Sequence, residues 1–259
     1  MLQATDAELA GGVVTASAGN MAQGVAYAAR IRGVPSTIVV PEGAPGTKIA
    51  AVERFGGQVV KLPYDDWWRV LVAGRYERTD GLFIHPVDDL KVMAGNGTIG
   101  LELLEDRPDL DAVVVPYGGG GLVTGIASAV KATRPEVRFY SVEPETGAAA
   151  AASLAAGSPT EIEYVRSFVD GAGSRSLIPG VWAHARELLD GAFAVSLDET
   201  AAAIRLIAER TRVIAEGAGA LATAAALAGR AGGGKIACIV SGGNIDAAIL
   251  ARILSGETP

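Results

Sequence analysis

The 259-residue sequence predicts a two-lobed α/β protein, with three-layer α/β/α packing around mainly parallel sheets. Runs of apolar, β-branched residues recur along the chain. Each run is followed by a glycine-containing turn and then by a segment with helical periodicity, which is the order typical of βαβ units. The composition, 49% hydrophobic and 20% charged, is that of an ordinary globular protein long enough to form two lobes.

The elements follow in chain order. Apolar runs predict strands at 12–15, 37–40, 58–61, 82–85, 112–116, 138–143, 191–195 and 235–240. Periodic segments predict helices at 21–33, 45–56, 66–79, 96–106, 122–135, 198–211 and 244–256. Residues 146–179 are rich in Gly, Ala, Ser and Pro, which predicts a helix of undefined length followed by a loop. We place the small lobe at 12–93 and the large lobe at 94–259 together with residues 1–11.

Charge and cysteine usage narrow the class of partner. The formal net charge is −7, the pI is near 5.0, and the 22 Lys and Arg residues form no cluster, which disfavours nucleic acid and anionic membranes. The single cysteine, Cys238, cannot form an intramolecular disulfide. No secretory signal is visible at the first residues, and no apolar run reaches the roughly 18 residues of a membrane span. We therefore predict a cytoplasmic protein that acts on a small molecule.

Three strand-to-helix joints carry small or hydrogen-bonding residues in place of ordinary turn residues. They are "TASAGN" at 15–20, "PYGGGG" at 116–121 and "SGGN" at 241–244. In open α/β sheets, ligands bind beyond the carboxyl ends of the strands, where helix N-termini carry positive potential. The three joints together predict a site for one polar ligand.

The glycine joint predicts an anion site. Its four consecutive glycines are Gly118, Gly119, Gly120 and Gly121. At the start of a helix their N–H groups can converge on an anion, usually a phosphate, although a merely tight turn would use the same residues. The glycine joint itself contains no G-x-G-x-x-G, and Ile and Ala follow Gly125 where a P-loop needs Lys and Ser or Thr. A dinucleotide and ATP are therefore both disfavoured.

The other two joints offer polar groups of a different kind. The first joint consists of Ser17, Ala18, Gly19 and Asn20. Its free N–H groups would suit a carboxylate, and the Asn20 amide could reach a phenolic or carbonyl oxygen. Taken singly, each of these motifs has a purely structural explanation. Ser17 and Asn20 could be nothing more than helix N-caps, and "SGGN" could be nothing more than a cap for the helix that follows it. The set of three joints favours a binding site.

The whole set resembles the fold-type II pyridoxal-phosphate enzymes, the tryptophan synthase β superfamily, and within it the threonine/serine dehydratase branch. The similarity runs from about Gly12 to Asp246. It rests on "VVTASAGNMAQGVAYAA", "APGTKIAAVERFGGQVV", "FIHPVDD", "MAGNGTIGLELLED", "VVVPYGGGGLVTGIA", "VEPE", "IAEGAGA" and "SGGNID". The order and spacing of these motifs make a chance agreement implausible.

The resemblance implies a cofactor, pyridoxal 5′-phosphate, and a role for each joint. Gly118–Gly121 would hold the cofactor phosphate, Asn20 would bond the ring hydroxyl, and residues 17–20 would hold the substrate carboxylate. Ser241 would face the pyridine nitrogen, and Glu216 would either lie near the cofactor rim or cap its own helix. The implied enzyme is a lyase, a dehydratase (ammonia-lyase) of amino-acid metabolism that converts a β-hydroxy amino acid such as threonine or serine to a 2-oxo acid and ammonia.

The sequence departs from this family at the lysine that forms the Schiff base. In the family that lysine lies in an S-F-K-x-R-G-type motif upstream of S-A-G-N. Sixteen residues precede Ser17 here and none is lysine, and the five lysines of the chain all lie outside such a motif. The catalytic residue is therefore unknown, and we expect impaired activity and a large lobe without its N-terminal part. A truncated start, a second polypeptide and a non-catalytic relative all remain open.

Other departures bear on the alternatives. A non-catalytic protein that binds pyridoxal phosphate or a phosphorylated metabolite is one, and a pyridoxal-phosphate-dependent racemase or β-replacement synthase is another. Ala18 occupies the place of a second serine in racemases, and "HPVDD" and "AEGAGA" match dehydratases better than synthases. Relatives with a cation site use the Glu of "VEP" and a later acidic residue; Glu143 is present but "TGAAAA" follows, so we predict no metal. We also expect a homodimer.

Overall fold

The computed structural model describes residues 1–259 and divides into two compact units, Met1–Asp89 and Leu90–Pro259. Each unit contains its own four-stranded sheet in which every strand pair is parallel. The predicted α/β class with mainly parallel sheets is confirmed. No helix combines the length and the apolar character that a membrane span requires.

The first unit has the strand order β3-β2-β1-β4. Its strands are β1 (Val13–Ala16), β2 (Ser36–Pro41), β3 (Gln58–Leu62) and β4 (Leu82–Phe83). Its helices are α1 (Asp6–Leu9), α2 (Asn20–Arg32), α3 (Gly46–Arg54) and α4 (Tyr64–Ala73). Helix α4 ends earlier than predicted because Gly74 takes a left-handed conformation, with φ of 60°, and closes the helix.

Residues 1–11 lie in this first unit, whereas we predicted them in the large lobe. Leu9 is buried, and its carbonyl oxygen accepts the Gly12 N–H at 2.8 Å. Asp6 forms an ion pair with Arg32 at 3.0 Å. These contacts attach the N-terminal turn to the beginning of β1 and the end of α2.

The second unit has the strand order β7-β6-β5-β8. Its strands are β5 (Ala112–Pro116), β6 (Arg138–Pro144), β7 (Gly191–Val195) and β8 (Ile236–Cys238). Its helices are α5 (Leu90–Asp106), α6 (Gly121–Lys131), α7 (Ala149–Ala156), α8 (Pro179–Leu188), α9 (Leu197–Thr211), α10 (Gly217–Leu227) and α11 (Ala247–Leu254). Helix α5 begins six residues before its predicted start, and the unit boundary accordingly falls just before Leu90.

Strand β5 is buried on both faces, which explains its continuous apolar sequence. Val114 packs into one hydrophobic cluster together with residues of α9 and α10. Val113 and Val115 point the other way into a second cluster, which includes residues of α6 and α8. This alternation fixes the register of the strand, and with it the position at which the glycine joint leaves the sheet.

Helices α5 and α6 pack so closely at Gly125 that we expect a large effect of a single methyl group there. A Cβ on Gly125 would collide with the backbone of Met93 and lie 2.9 Å from the Asn96 Cβ. Gly125→Ala is expected to lower the free energy of unfolding by about 3 kcal/mol through overpacking.

The matched control for this prediction lies on α5. Gly95 is exposed in the middle of that helix, and a Cβ there would meet no atom within 4 Å. Gly95→Ala should therefore raise the free energy of unfolding by about 0.5–1 kcal/mol, because alanine orders at a smaller entropy loss. Urea unfolding measures both changes, and equal effects of the two substitutions would contradict the close helix contact.

Candidate functional site

The first joint follows β1 and begins α2. The Ser17 N–H donates to the Val39 carbonyl oxygen at 3.0 Å, so strand pairing continues one residue past β1. The Ser17 hydroxyl accepts the Gly19 N–H at 3.3 Å. Gly19 is the N-cap of α2 and provides no side-chain cap, and Asn20 is the first residue of the helix. Because the N-cap is glycine, no N-cap side chain covers the start of α2.

The second joint contains the four glycines between β5 and α6. Gly120 is the N-cap of α6 in a left-handed conformation, with φ of 88°, and no side chain caps the helix. A Cβ on Gly120 would lie 2.6 Å from Tyr117 Oη and 2.7 Å from Val181 Cγ1. Only glycine satisfies both the conformation and the space at this position. Glycine at the N-cap also keeps the first amides of α6 free of any covering side chain.

The third joint follows β8, at residues 241–244. Ser241 is exposed, and the helix after the joint, α11, begins only at Ala247. Its N-cap is Asp246, whose carboxylate accepts the Ala248 N–H at 2.8 Å. "SGGN" is therefore not the cap of this helix, and the interpretation of that motif as a helix cap alone is wrong.

Two of the joints lie at the same edge of the second sheet. Strand β8 pairs in parallel with β5, so the carboxyl ends of both strands face the same way. Glu216 adjoins this edge, because its N–H donates to the Gly242 carbonyl oxygen at 3.0 Å. The Glu216 side chain is buried and makes no capping bond to α10, the helix it precedes. The alternative in which its carboxylate caps that helix is wrong.

A fourth segment at this edge, residues 169–173, was missed by the sequence analysis. The Gly173 N–H donates to the Tyr117 carbonyl oxygen at 2.9 Å. The Gly171 carbonyl oxygen lies 3.3 Å from where a Cβ on Gly118 would be, and a Cβ on Gly171 would lie 3.8 Å from Glu216 Oε1. The segment therefore packs between the glycine joint and Glu216. Its "DGAG" sequence was a usable signal, since paired glycines often mark a close backbone approach.

The predicted site residues are divided between the two units. Gly118–Gly121, Ser241 and Glu216 are all in the second unit, around the carboxyl ends of β5 and β8. Ser17, Ala18, Gly19 and Asn20 form the start of α2 in the first unit. The roles assigned to these residues stay predictions.

A buried carboxyl lies behind the glycine joint. Glu143, on β6, is fully buried, and its two oxygens accept the N–H groups of Ala150 and Ala151 at 3.0 Å each. Burial raises the pKa of Glu143 to about 7, against the opposing effect of the two amide bonds. The carboxylate thus binds the first turn of α7. No group of three or more His, Cys, Asp or Glu side chains that could hold a metal ion is present.

None of the five lysines lies in one of the three joints. The surroundings of three of them are as follows. Lys48 is buried on α3 in the first unit. Lys131 forms an ion pair with Asp190 at 2.8 Å, and Lys235 pairs with Asp109.

The residues of the glycine joint fit a phosphate group. A phosphate needs several N–H donors and positive potential, and the first amides of an uncapped helix provide both. Gly120 and Gly121 are buried while Gly118 and Gly119 are half-buried, so an anion would be partly shielded from water there. Helix α6 spans three turns, Gly121–Lys131, which is long enough for a developed dipole.

Comparison with known proteins gives a consistent result. A family model described as "Pyridoxal-phosphate dependent enzyme" matches residues 1–242. The L-threonine ammonia-lyase of Geobacter sulfurreducens is 44% identical over 244 residues, which cover 92% of this chain and 60% of that protein. The L-threonine ammonia-lyase of Thermotoga maritima is 41% identical over 247 residues, covering 94% and 61%. The chain thus spans about three fifths of the length of these two relatives.

Solved structures agree with the sequence matches. Maize serine racemase superposes with a TM-score of 0.86 at 34% identity, over 97% of this chain and 79% of that one. The processed form of threonine deaminase isoform 2 from Solanum lycopersicum superposes with a TM-score of 0.87 at 35% identity, over 99% and 77%.

Proposed function

Because this chain belongs to the pyridoxal-phosphate-dependent enzyme family, we propose that it is a dehydratase (ammonia-lyase) of the threonine/serine type. Its reaction would convert a β-hydroxy amino acid to a 2-oxo acid and ammonia. The observation that carries the proposal is the uncapped N-terminus of α6 behind four glycines, which fits the cofactor phosphate. Identities of 41–44% to L-threonine ammonia-lyases support the choice of reaction.

Within the second unit, we assign the cofactor phosphate to Gly118–Gly121. The first N–H groups of α6 would donate to its oxygens, and the helix dipole would favour its negative charge. Ser241 follows the neighbouring strand, and we assign its hydroxyl to the pyridine nitrogen. When bound, pyridoxal phosphate supplies an electron sink for bond cleavage at the substrate Cα.

Within the first unit, we assign substrate binding to residues 17–20. No N-cap side chain covers the start of α2, and we assign the substrate carboxylate to the N–H groups there. The Asn20 side-chain amide would bond the ring hydroxyl of the cofactor. Glu216 is assigned to the cofactor rim, because it is buried at the sheet edge that carries the glycine joint.

A lysine acting as base at the substrate α-proton is not among these residues. The three joints contain no lysine, and the five lysines of the chain are elsewhere. We therefore expect the 259-residue chain to bind the cofactor without covalent attachment and to turn over slowly by itself. The same observation favours the alternative function, a non-catalytic protein that binds pyridoxal phosphate or a phosphorylated metabolite.

A racemase remains a further alternative, since maize serine racemase is similar in structure. Ala18 argues against it because a methyl group can neither donate nor accept the proton that racemisation delivers to the opposite face. A β-replacement synthase has no specific support among the described residues.

Two measurements test the proposal. Calorimetry with pyridoxal 5′-phosphate and with pyridoxal should show binding that depends on the phosphate. Release of 2-oxo acid and ammonia from L-threonine and L-serine should then be assayed, on this chain and on the product of its reading frame extended upstream. Binding without turnover in both proteins would support the non-catalytic alternative, and absence of phosphate-dependent binding would refute both.

We also propose that the protein is a cytoplasmic homodimer. The single cysteine, half-buried Cys238, is compatible with a reducing compartment. Size-exclusion chromatography with light scattering tests the oligomeric state, and a monomer at micromolar concentration would contradict it.

A further inference from the structure

Tyr117 is the residue immediately before the four glycines of the glycine joint. It follows β5, and its N–H continues the strand pairing by donating to the Val142 carbonyl oxygen at 2.8 Å. Its own carbonyl oxygen accepts the Gly173 N–H. The side chain is 1% exposed and packs in the hydrophobic cluster on the α6 side of the sheet. Both ends of the residue are thus held by backbone bonds.

The phenol hydroxyl of Tyr117 points at the N-cap of α6. Its oxygen lies 2.6 Å from where a Cβ on Gly120 would be. The hydroxyl is buried and has no hydrogen-bond partner in the protein. An unpaired buried hydroxyl lowers stability by about 1–3 kcal/mol, so a ligand that accepts its proton in a hydrogen bond would remove that cost.

We propose that the Tyr117 hydroxyl is an additional donor to the phosphate group that binds in the glycine joint. This inference rests on the proposed phosphate site and extends it by one side chain. The backbone amides of α6 would bind the phosphate from the helix end, and the phenol would bind it from the floor of the joint.

The chemistry of the surroundings favours a donor. Burial, together with the negative charge of Glu143, raises the pKa of Tyr117, so the hydroxyl keeps its proton throughout the neutral range. A phosphate provides oxygen acceptors, and a protonated phenol provides a hydrogen-bond donor, so the two groups match. Because Gly120 has no side chain, nothing at that position displaces the hydroxyl, whereas a Cβ there would overlap it.

Tyr117→Phe separates this role from simple packing because the two effects have opposite signs. Without ligand, loss of an unpaired hydroxyl should leave the melting temperature equal or higher. With ligand, loss of a bond to a charged group should weaken pyridoxal 5′-phosphate binding about tenfold or more. Affinity for pyridoxal, which has no phosphate, should not change.

The control is Tyr140→Phe. Tyr140 lies on β6, packs against Phe193 with ring centroids 5.1 Å apart, and accepts a bond from Arg138 at 3.3 Å. The substitution removes a hydroxyl of the same kind away from the glycine joint, so it should leave both affinities unchanged.

Calorimetry of the wild type and both variants with pyridoxal 5′-phosphate, pyridoxal and inorganic phosphate provides the test. If the wild type does not prefer the phosphorylated ligand, the phosphate site itself is wrong, and the inference fails with it. If the wild type shows the preference and Tyr117→Phe retains it in full, the inference alone is overturned, and the hydroxyl pairs with buried water instead.

Discussion

Gly120→Ala is expected to abolish measurable pyridoxal 5′-phosphate binding and to lower the free energy of unfolding by about 3 kcal/mol. The added methyl group would have to occupy a left-handed conformation, with φ of 88°. It would also meet Tyr117 and Val181 at 2.6–2.7 Å, inside any allowed contact distance. The turn must move to relieve this overlap, and the amides that converge on the phosphate then separate.

The size of the binding effect follows from the number of bonds involved. Losing two charge-assisted hydrogen bonds, at about 1.5–3 kcal/mol each, lowers affinity by at least about 100-fold. Calorimetry measures the affinity, and urea unfolding measures the stability. The stability loss is predicted whether or not a ligand is present, because the overlap exists in the free protein.

Gly157→Ala is the matched control. Gly157 closes α7 with φ of 71°, in the same left-handed region, but a Cβ there would meet no atom within 4 Å. This substitution should lower stability by about 1 kcal/mol, from the backbone strain alone, and leave ligand affinity unchanged. If Gly120→Ala behaved like Gly157→Ala, the tight packing behind the glycine joint would be refuted.

All eight strands were predictable from the sequence, for a physical reason. Parallel strands buried on both faces need continuous apolar residues, and β5 has them throughout. The glycine turns after these runs then gave the positions of the joints, because glycine is needed where a chain turns sharply into a helix. Residues 112–116 and 191–195 were placed with their observed bounds.

Two helices of the second unit, α8 and α10, were not predicted, and α7 was predicted only as a helix of undefined length within residues 146–179. Periodicity detects a helix by the contrast between an apolar face and a polar one, and α10 has no such contrast. Most of its residues are alanine or glycine, and nearly all of them are buried. A helix enclosed on every side carries no amphipathic pattern, so composition alone could not delimit it.

The residues of the candidate site could likewise be predicted only in part from the sequence. The three joints could be recognised as ligand-binding turns from their residue types alone. Small and hydrogen-bonding residues at a strand-to-helix turn favour ligand binding whatever the order of the strands in the sheet. That β8 pairs with β5, more than a hundred residues apart in sequence, depends on the topology of the sheet. The contact of Gly171 with Gly118 and Glu216 depends on tertiary packing of a loop, which has no periodic signal.

Glu143→Gln is expected to change how stability depends on pH. In the folded protein the pKa of Glu143 is raised to about 7, mainly by burial, so the folded state holds this proton more tightly than the unfolded state. The contribution of this group to stability is therefore present in full below the unfolded pKa, near 4.5, and is lost as pH rises through about 7. The shift corresponds to about 3 kcal/mol.

The glutamine variant lacks this titration, so its stability relative to the wild type should improve by about 3 kcal/mol between pH 4.5 and 8. Glutamine has one side-chain oxygen, so one of the amides of Ala150 and Ala151 loses its acceptor, at about 1 kcal/mol independent of pH. Urea unfolding at several pH values separates the constant effect from the pH-dependent one.

Glu145→Gln provides the comparison for this series. The Glu145 carboxylate also accepts an N–H at the start of a helix, from Leu197 at 3.1 Å, but the residue is exposed. Glu145→Gln therefore measures the effect of losing a carboxylate acceptor at an exposed helix start, for comparison with the buried acceptor Glu143. A wild-type slope that Glu143→Gln leaves intact would show that burial does not hold this proton. In that case the carboxylate would be bound to α7 in its charged form at all these pH values.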